Sequence, residues 1–339
     1  MKPRVSVLMP VRDAEDTVGE AIKSILRQTE RNFELLVVDD GSYDATPAVL
    51  RDFAGMDERV RVLFTEGCGI VAALNLAVSE AAANLLARMD ADDVAHSRRL
   101  ELQCAFLDAN PEVGMVACRV EHWNPDGGSR PGFGHYVDWT NALLHDRDLQ
   151  LRRFVESPLA HPSVVFRKGL VEWFGGYRNG PFPEDYELWL RWFDCGVQME
   201  KLSENLLRWR DHDRRLSRID PRYSTSAFYR MKLEYLHKWL DRHNRFHPEV
   251  KVWGAGRTTR SRAKFLEEAG TVVTGYYDVD PKKIGNPCGG LDVRSIADVP
   301  EPGEEFIVCM VGARGAREKA LAFLNDLGHR EGVDFILAA

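Results

Sequence analysis

The chain has 339 residues, which is more than one hydrophobic core usually supports, so its length predicts two domains. Its apolar fraction of 44% and charged fraction of 29% are typical of an ordinary globular protein. The net charge of -7 disfavours a nucleic-acid partner, because proteins that bind nucleic acids usually carry a basic excess.

The N-terminal sequence and the cysteines predict a cytoplasmic protein. The six cysteines are too widely spaced for a zinc site or a redox dithiol, which indicates reduced thiols. The apolar run at residues 5–9 is too short for the core of a signal peptide. No stretch reaches the roughly 18 apolar residues of a membrane span, so we expect no transmembrane segment.

Apolar runs alternate with amphipathic stretches through the first 93 residues. The pattern predicts strands at 5–9, 34–38, 60–64 and 85–89, and helices at 18–26, 44–53 and 70–83. Asp13 and Asp16 resemble an N-cap pair for the first helix. Because strands and helices alternate, we expect an α/β fold with a mostly parallel sheet and right-handed crossovers.

The rest of the chain divides into a connecting part and a second α/β unit. We predict a loop at 123–135, a buried helix at 188–193, an arginine-rich stretch at 208–222 and an aromatic amphipathic helix at 229–243. That last helix could contact a membrane surface peripherally or pack on its own protein. The predicted domains are 1–218, a helical linker at 219–248, and a small Rossmann-like α/β domain at 249–339.

Two acidic clusters follow predicted strands. One is Asp39 with Asp40, and the other contains Asp90, Asp92 and Asp93. In open parallel sheets ligands bind beyond the carboxyl ends of the strands, where carboxylates repel one another unless a cation or hydrogen-bond donors compensate. A hard divalent cation that bridges carboxylates and substrate phosphates would relieve this repulsion. The alternative is that these Asp-rich turns only cap strands and helices.

Six segments, taken in order, resemble the signatures of family 2 glycosyltransferases with the GT-A fold. They are VSVLMP at 5–10, VDDGS at 38–42, MDADD at 89–93, HPSVVFR at 161–167, GGY at 175–177 and EDYELWLR at 184–191. The resemblance covers residues 5–217 and implies a nucleotide-sugar-binding domain. It also implies a metal-dependent enzyme that moves a sugar from a nucleotide-diphosphate donor, UDP-linked, to a glycan, lipid-linked or protein hydroxyl.

The same resemblance implies where the donor nucleotide binds. Asp39 and Asp40 would contact the base or ribose, and Asp90 would lie at the diphosphate. Pro10 and Arg12 belong to the loop of the nucleotide site that follows the first strand. The family often has Tyr-Asn in this loop, where Arg12 stands here and could meet a phosphate.

It also implies which residues hold the metal and carry the reaction. Asp90 and Asp92 would hold Mn²⁺ or Mg²⁺ on the diphosphate, and Asp185 would be the general base, with Glu184 shaping the acceptor side. A bound metal neutralises the leaving diphosphate as a Lewis acid. One carboxylate acting as base without a nucleophilic partner predicts single displacement, hence inversion at the sugar. His212 would lie near the metal or diphosphate, or be a solvated or structural residue.

The second unit carries a partial dinucleotide fingerprint. Gly254 and Gly256 lie between a predicted strand and helix, Thr259 stands at the third glycine position, and Asp278 follows where a ribose-binding acid is expected. This unit is either a nucleotide-binding module or a structural domain that supports dimerisation. Two further alternatives for the whole chain are a noncatalytic nucleotide-sugar-binding regulatory protein and an NAD-dependent oxidoreductase.

Overall fold

The computed structural model describes residues 2–125, 127, 131–213, 215–313 and 315–339. Part of the loop predicted at 123–135, and Arg214 of the arginine-rich stretch, lie outside these residues. The chain forms two compact units. The first contains Met1–Leu149 and Pro158–Asp220, and the second contains Gln150–Ser157 and Pro221–Ala339.

The first unit contains one large sheet and the helices that cover it. Its strands are β1 (Val5–Val11), β2 (Phe33–Asp39), β3 (Val60–Phe64), β4 (Leu85–Arg88), β5 (Val94–Ala95), β6 (Val113–Trp123), β7 (Val165–Arg167) and β8 (Gln198–Arg210). Its helices are α1 (Val18–Leu26), α2 (Thr46–Met56), α3 (Ile70–Glu80), α4 (Arg99–Ala109), α5 (Pro131–Ala142), α7 (Gly169–Phe174), α8 (Glu184–Asp194) and α9 (Leu216–Ile219). Helix α6 (Asp146–Arg152) spans the point at which the chain passes from the first unit to the second.

The strand order of this sheet is β3-β2-β1-β4-β7-β6-β8-β5. Strands β3, β2, β1 and β4 are parallel, and their carboxyl ends therefore meet at one edge, as predicted. Strand β7 runs antiparallel to both β4 and β6, whereas β6 and β8 are parallel. Strand β5 pairs antiparallel with β8, with Val94 opposite Arg208, so the end of β8 lies beside the residues between β4 and β5.

The apolar residues of the central strands explain why the sheet is covered on both faces. Val7 and Val37 belong to one buried layer, and Leu8 and Leu36 belong to the other. Successive side chains of a strand point to opposite faces, so a parallel strand that is buried on both sides shows a continuous apolar run. Helices α1, α2 and α4 complete the first layer, and α3 and α8 complete the second.

Two predictions of local structure are wrong. Helix α1 begins at Val18 after Thr17, without a side-chain cap, and Asp13 instead accepts a hydrogen bond from the backbone N–H of Tyr43. Residues 131–135, predicted as a loop, begin helix α5, in which Val137 is buried in the core. Proline is tolerated in the first turn of a helix, and tertiary packing of apolar side chains outweighs the low helix propensity of glycine here.

The second unit is a smaller parallel α/β sheet. Its strands β9 (Glu249–Trp253), β10 (Val272–Asp278), β11 (Val293–Ser295), β12 (Ile307–Cys309) and β13 (Phe335–Leu337) have the order β11-β10-β9-β12-β13. Helices α11 (Arg257–Glu268) and α12 (Ala316–Asp326) follow β9 and β12. The strand order reverses between β9 and β12, which is the switch point at which sheets of this type bind ligands.

Helix α10 (Thr225–His243) precedes this sheet and belongs to the second unit. It lies within the segment predicted as a helical linker. Its Leu233, Leu236 and Leu240 are completely buried, so this apolar face packs on the protein. Among the residues that the structure describes, no helix is both long and apolar enough to span a membrane.

We expect Trp189→Ala to lower the free energy of unfolding by about 3–5 kcal/mol, because Trp189 is a 0% exposed residue of α8 that packs in the core. Trp173→Ala is the matched control, since Trp173 is 75% exposed, and it should change stability by less than about 1 kcal/mol. Urea denaturation followed by circular dichroism measures both. Equal losses in the two variants would contradict this description of the core.

Candidate active site

Hydrogen bonds join the loops after β1 and β2 into one structure at the carboxyl edge of the sheet. The backbone N–H of Asp13 donates to Ser42 Oγ at 2.9 Å, and Asp13 Oδ1 accepts from the N–H of Tyr43 at 2.8 Å. The N–H of Ala14 donates to Thr46 Oγ1 at 2.8 Å. Asp13 adopts a φ of 49°, a left-handed conformation that Asp tolerates better than most residues. Hydrogen bonds between protein groups therefore organise the edge on which a nucleotide would lie.

Asp40 anchors a third loop to this edge. Its buried carboxylate accepts hydrogen bonds from Thr65 Oγ1 at 2.7 Å, from the N–H of Cys68 at 2.7 Å and from the N–H of Gly69 at 2.9 Å. Burial alone would raise the pKa of Asp40, but these hydrogen bonds outweigh it and hold the pKa below its ordinary value. Asp40 is thus a charged centre around which residues 65–69 fold.

The other residues predicted to bind the nucleotide lie at the same edge. Asp39 is buried and accepts two hydrogen bonds from Ser42, from its N–H at 3.1 Å and its Oγ at 2.6 Å. Pro10 pairs with Val38 in the ladder between β1 and β2. The side chain of Arg12 is 48% exposed, and its Nε lies 3.8 Å from an oxygen of Asp13. Arg12 therefore presents a half-exposed cation at an edge that is otherwise held by hydrogen bonds.

Three carboxylates converge after β4. Asp90, Asp92 and Asp93 each offer an oxygen, and these oxygens lie within 4.8 Å of one another. Asp93 is buried, and its Oδ2 has no hydrogen-bond partner. Burial and the charges of Asp92 and Asp90 raise the pKa of Asp93 well above its ordinary value. A bound cation would reduce the repulsion among these carboxylates.

The end of β8 reaches this cluster. The N–H of Arg210 donates to Asp93 Oδ1 at 2.8 Å, and Arg210 Nε donates to the backbone oxygen of Asp92 at 2.6 Å. His212 Nε2 lies 2.7 Å from Asp92 Oδ2. Burial would raise the pKa of Asp92, but the hydrogen bond with His212 and the charge of Arg215 lower it overall. His212 is therefore in contact with a predicted metal ligand.

These residues fit a divalent metal ion. Carboxylate oxygens are the ligands that Mg²⁺ and Mn²⁺ prefer, and the cluster supplies three carboxylates. The unpartnered Oδ2 of Asp93 is an oxygen that such an ion would satisfy. Asp93 extends the set of Asp90, Asp92 and His212 that the sequence predicts. Its place in the run Asp90 to Asp93 was visible in the sequence, but its burial against the cluster was not.

Asp185 and Glu184 occupy the first turn of helix α8. Glu184 is 1% exposed, whereas Asp185 is half-buried and accepts a hydrogen bond from the N–H of Tyr186 at 2.7 Å. Burial and the neighbouring charge of Glu184 raise the pKa of Asp185 to about 7, although Arg88 and the N–H of Tyr186 oppose the change. A carboxylate with a pKa near neutrality is suited to act as a general base.

Arg88 is a site residue that the sequence analysis missed. It is 1% exposed, its Nη2 donates to Asp90 Oδ1 at 2.6 Å, and its Nε and Nη1 have no partner. Burial alone would lower its pKa, but the charges of Asp90, Tyr177 and Glu184 raise it. Arg88 therefore stays charged among the carboxylates of both acidic groups. The sequence feature that could have identified Arg88 is the presence of an arginine in the otherwise apolar strand β4.

Tyr177 and His161 line the same region. Tyr177 is buried, and its hydroxyl lies 2.9 Å from His161 Nε2. Burial and the charge of Arg88 lower the pKa of His161 well below its ordinary value, so this imidazole is neutral at pH 7. The ring of His161 also meets Trp189 edge-on, at 5.9 Å between ring centres. His161 thus has a packing role beneath the acidic groups.

The predicted residues of the second unit lie at the end of β9. Gly254 adopts a φ of 108°, which favours glycine, and Gly256 precedes α11. Asp278 is buried and accepts hydrogen bonds from the N–H of Ala255 at 2.7 Å and from Lys283 Nζ at 3.0 Å. Burial would raise its pKa, but these hydrogen bonds lower it overall. In this unit Asp278 holds the glycine turn in place.

Comparison with known proteins gives a consistent result. A family model described as Glycosyl transferase family 2 matches residues 6–174. The chain is 32% identical over 237 residues to the O-antigen biosynthesis glycosyltransferase WbnJ of Escherichia coli, which covers 69% of this chain and 89% of WbnJ.

Two solved structures resemble this fold. One is S. aureus TarS in complex with UDP-GlcNAc, with a TM-score of 0.53 and 16% identity, covering 78% of this chain and 71% of that chain. The other is the mannosyltransferase PcManGT from Pyrobaculum calidifontis in complex with GDP-Man and Mn²⁺. It has a TM-score of 0.52 and 18% identity, covering 79% and 73% of the two chains.

A mostly parallel sheet with acidic groups beyond its strand ends, and with these structural relatives, defines the GT-A class of α/β proteins. The chain belongs to glycosyl transferase family 2. The predicted fold class and the predicted enzyme class, a glycosyltransferase, are therefore confirmed. The second parallel sheet agrees with the Rossmann-like domain that the glycine turn predicts.

We expect Asp40→Asn to loosen the loop at residues 65–69, because an amide offers one acceptor oxygen where the carboxylate now accepts hydrogen bonds on both. The expected loss in the free energy of unfolding is about 1–3 kcal/mol. Hydrogen exchange should become faster at the amides of Cys68 and Gly69. Asp52→Asn, an exposed change in α2, is the control and should leave both measurements unchanged.

Proposed function

We propose that this glycosyltransferase moves a hexose-type sugar from a nucleotide-diphosphate donor, a UDP-sugar, to an acceptor hydroxyl with inversion at the sugar. The observation that carries the proposal is the pairing of two acidic groups around Arg88. One is the carboxylate cluster of Asp90, Asp92 and Asp93, and the other is Asp185 with a pKa of about 7. The first suits the donor diphosphate, and the second suits the acceptor hydroxyl.

The donor side is proposed to require Mn²⁺ or Mg²⁺. Asp90 and Asp92 would hold the ion, with Asp93 and His212 beside them. When bound, the metal would neutralise the negative charge of the leaving diphosphate. The complexes of TarS with UDP-GlcNAc and of PcManGT with GDP-Man and Mn²⁺ support a nucleotide-sugar donor and a metal for this chain.

The nucleoside is proposed to lie at the edge formed by the ends of β1 and β2. Asp39 and Asp40 are already engaged by protein donors, so they would shape this subsite and offer the base or ribose their remaining acceptor capacity. Arg12 is exposed at the same edge and can approach a phosphate or the base. Pro10 ends the contribution of β1 to this subsite.

Asp185 is the proposed general base. It would accept the proton of the acceptor hydroxyl as the oxygen attacks the anomeric carbon, and Glu184 would keep its pKa high enough for this transfer. A single base and a direct attack give inversion. A noncatalytic nucleotide-sugar-binding protein would have no use for a carboxylate tuned to neutrality, which favours the enzyme.

The acceptor is proposed to be a glycan or a lipid-linked glycan, with a protein as the alternative. The similarity to WbnJ, an O-antigen biosynthesis glycosyltransferase, supports an acceptor used in polysaccharide synthesis. The nucleotide site at Gly254, Gly256 and Asp278, homodimerisation through the second unit, and a cytoplasmic location remain predictions.

We expect Asp92→Asn to abolish metal-dependent binding of the donor, because it removes one charged ligand of the cluster. Asp185→Asn should retain donor binding and lose at least about 100-fold in turnover, since it removes the general base. Calorimetry with a panel of nucleotide sugars, with and without Mn²⁺, measures binding, and release of the nucleoside diphosphate measures turnover. Normal turnover by the Asp185 variant would rule out this base.

Turnover should also depend on pH in a defined direction. Asp185 must be ionised to accept a proton, and with a pKa of about 7 its ionised fraction rises from about a tenth at pH 6 to about nine-tenths at pH 8. We therefore expect the rate at saturating substrate to rise about tenfold over this interval and then to level off. A rate that is flat between these pH values would contradict the assignment.

A further inference from the structure

The arginines after residue 207 differ in whether a carboxylate balances their charge. The described arginines with a carboxylate partner are Arg208 with Glu121 at 3.5 Å, Arg210 with Glu20 at 2.9 Å, and Arg218 with Asp211. Within the described part of this stretch up to residue 218, Arg215 is the arginine that forms no ion pair with a carboxylate. Its positive charge is therefore available to an external anion.

The guanidinium of Arg215 is held in a defined orientation. Its Cζ lies 4.6 Å from the ring centre of Phe133 and 4.5 Å from the ring centre of Trp209. Its Nη1 donates to the backbone oxygen of Arg210 at 3.2 Å. Stacking on aromatic rings is attractive for a planar guanidinium and restricts its rotation while leaving other N–H groups free. Arg215 thus loses less conformational entropy when it binds a ligand than a free surface arginine does.

This arginine is close to the carboxylate cluster. Arg210, whose carbonyl receives the hydrogen bond from Arg215, itself contacts Asp93 and the backbone of Asp92. The charge of Arg215 lowers the pKa of Asp92 and opposes the rise in the pKa of Asp93. The charge of Arg215 therefore acts on the carboxylate cluster, although Arg215 forms no salt bridge with it. An anion that approaches the cluster with a metal ion would meet Arg215 as well.

On the basis of the proposed function, we infer that Arg215 is a binding residue for the diphosphate of the donor and of the leaving nucleotide. A guanidinium binds phosphate oxygens through two parallel hydrogen bonds, and Arg215 lies beside the carboxylate cluster at which the donor diphosphate is proposed to bind. Phe133 and Trp209 act through Arg215, because they orient its plane. Arg215 would add a fixed positive charge to those of a bound divalent metal ion.

The test compares a nucleoside diphosphate with its nucleoside. UDP and uridine are titrated into the full-length protein with Mg²⁺ by calorimetry, and Arg215→Gln is compared with the unchanged protein. We expect the affinity for UDP to fall about 10- to 100-fold, because charge-assisted hydrogen bonds are lost, while the affinity for uridine stays the same. Arg215→Lys keeps the charge and should restore part of the affinity.

Arg208→Gln is the matched control. Arg208 also stacks on an aromatic ring, with its Cζ 4.6 Å from the ring centre of Trp123, but it is paired with Glu121. Its removal should leave the affinity for UDP within about twofold, as expected for an exposed ion pair. Thermal unfolding of each variant separates a loss of binding from a loss of folding.

The other possible results separate the role of Arg215 from the proposed function. Unchanged UDP affinity in Arg215→Gln, in a protein whose UDP binding depends on Asp92, would overturn the role of Arg215 and leave the proposed function intact. Equal losses for UDP and uridine would show that Arg215 only supports the structure of the site. If the unchanged protein does not bind UDP more tightly than uridine, both the proposed function and the role of Arg215 fail.

Discussion

The repulsion among carboxylates at the end of β4 is the constraint on which the rest of the first unit depends. Asp90, Asp92 and Asp93 bring their oxygens within 4.8 Å, and Asp93 is buried. Coulomb repulsion at such distances in a partly buried site costs several kcal/mol unless positive groups offset it. Two groups of the protein offset this repulsion. Arg88 of β4 donates a hydrogen bond to Asp90, and the N–H of Arg210 at the end of β8 donates one to Asp93.

The topology explains how those positive groups arrive. Strand β4 pairs with β1 on one side and with β7 on the other, and the residues after it lead into β5, which pairs with β8. Strand β8 brings the backbone of Arg210 and the ring of His212 to the cluster. Helix α8 begins with Glu184 and Asp185. The charges of Asp90 and Glu184 both act on Arg88, one from each acidic group. One buried arginine thus offsets part of the negative charge of both acidic groups.

The nucleotide edge shows a different use of acidic residues. Asp39 accepts hydrogen bonds from Ser42, and Asp40 accepts them from the loop at 65–69. Both residues therefore stabilise the edge as capping residues do. Two interpretations, capping and ligand binding, are therefore compatible at this edge. At the end of β4 the carboxylates have fewer protein donors, and Asp93 Oδ2 has none. Protein donors thus compensate the carboxylates at the nucleotide edge more fully than those at the end of β4.

The sequence by itself determined the elements with strong local patterns. Residues 60–64 form the predicted strand without any shift, and the acidic clusters lie at parallel strand ends, because hydrophobic periodicity is a property of adjacent residues. Only the tertiary structure decided that Arg88 interacts with the charges of both Asp90 and Glu184, and that residues 150–157 belong to the second unit. It also decided that α5 is helical. These features depend on contacts between residues far apart in the chain, for which a single sequence carries no local signal.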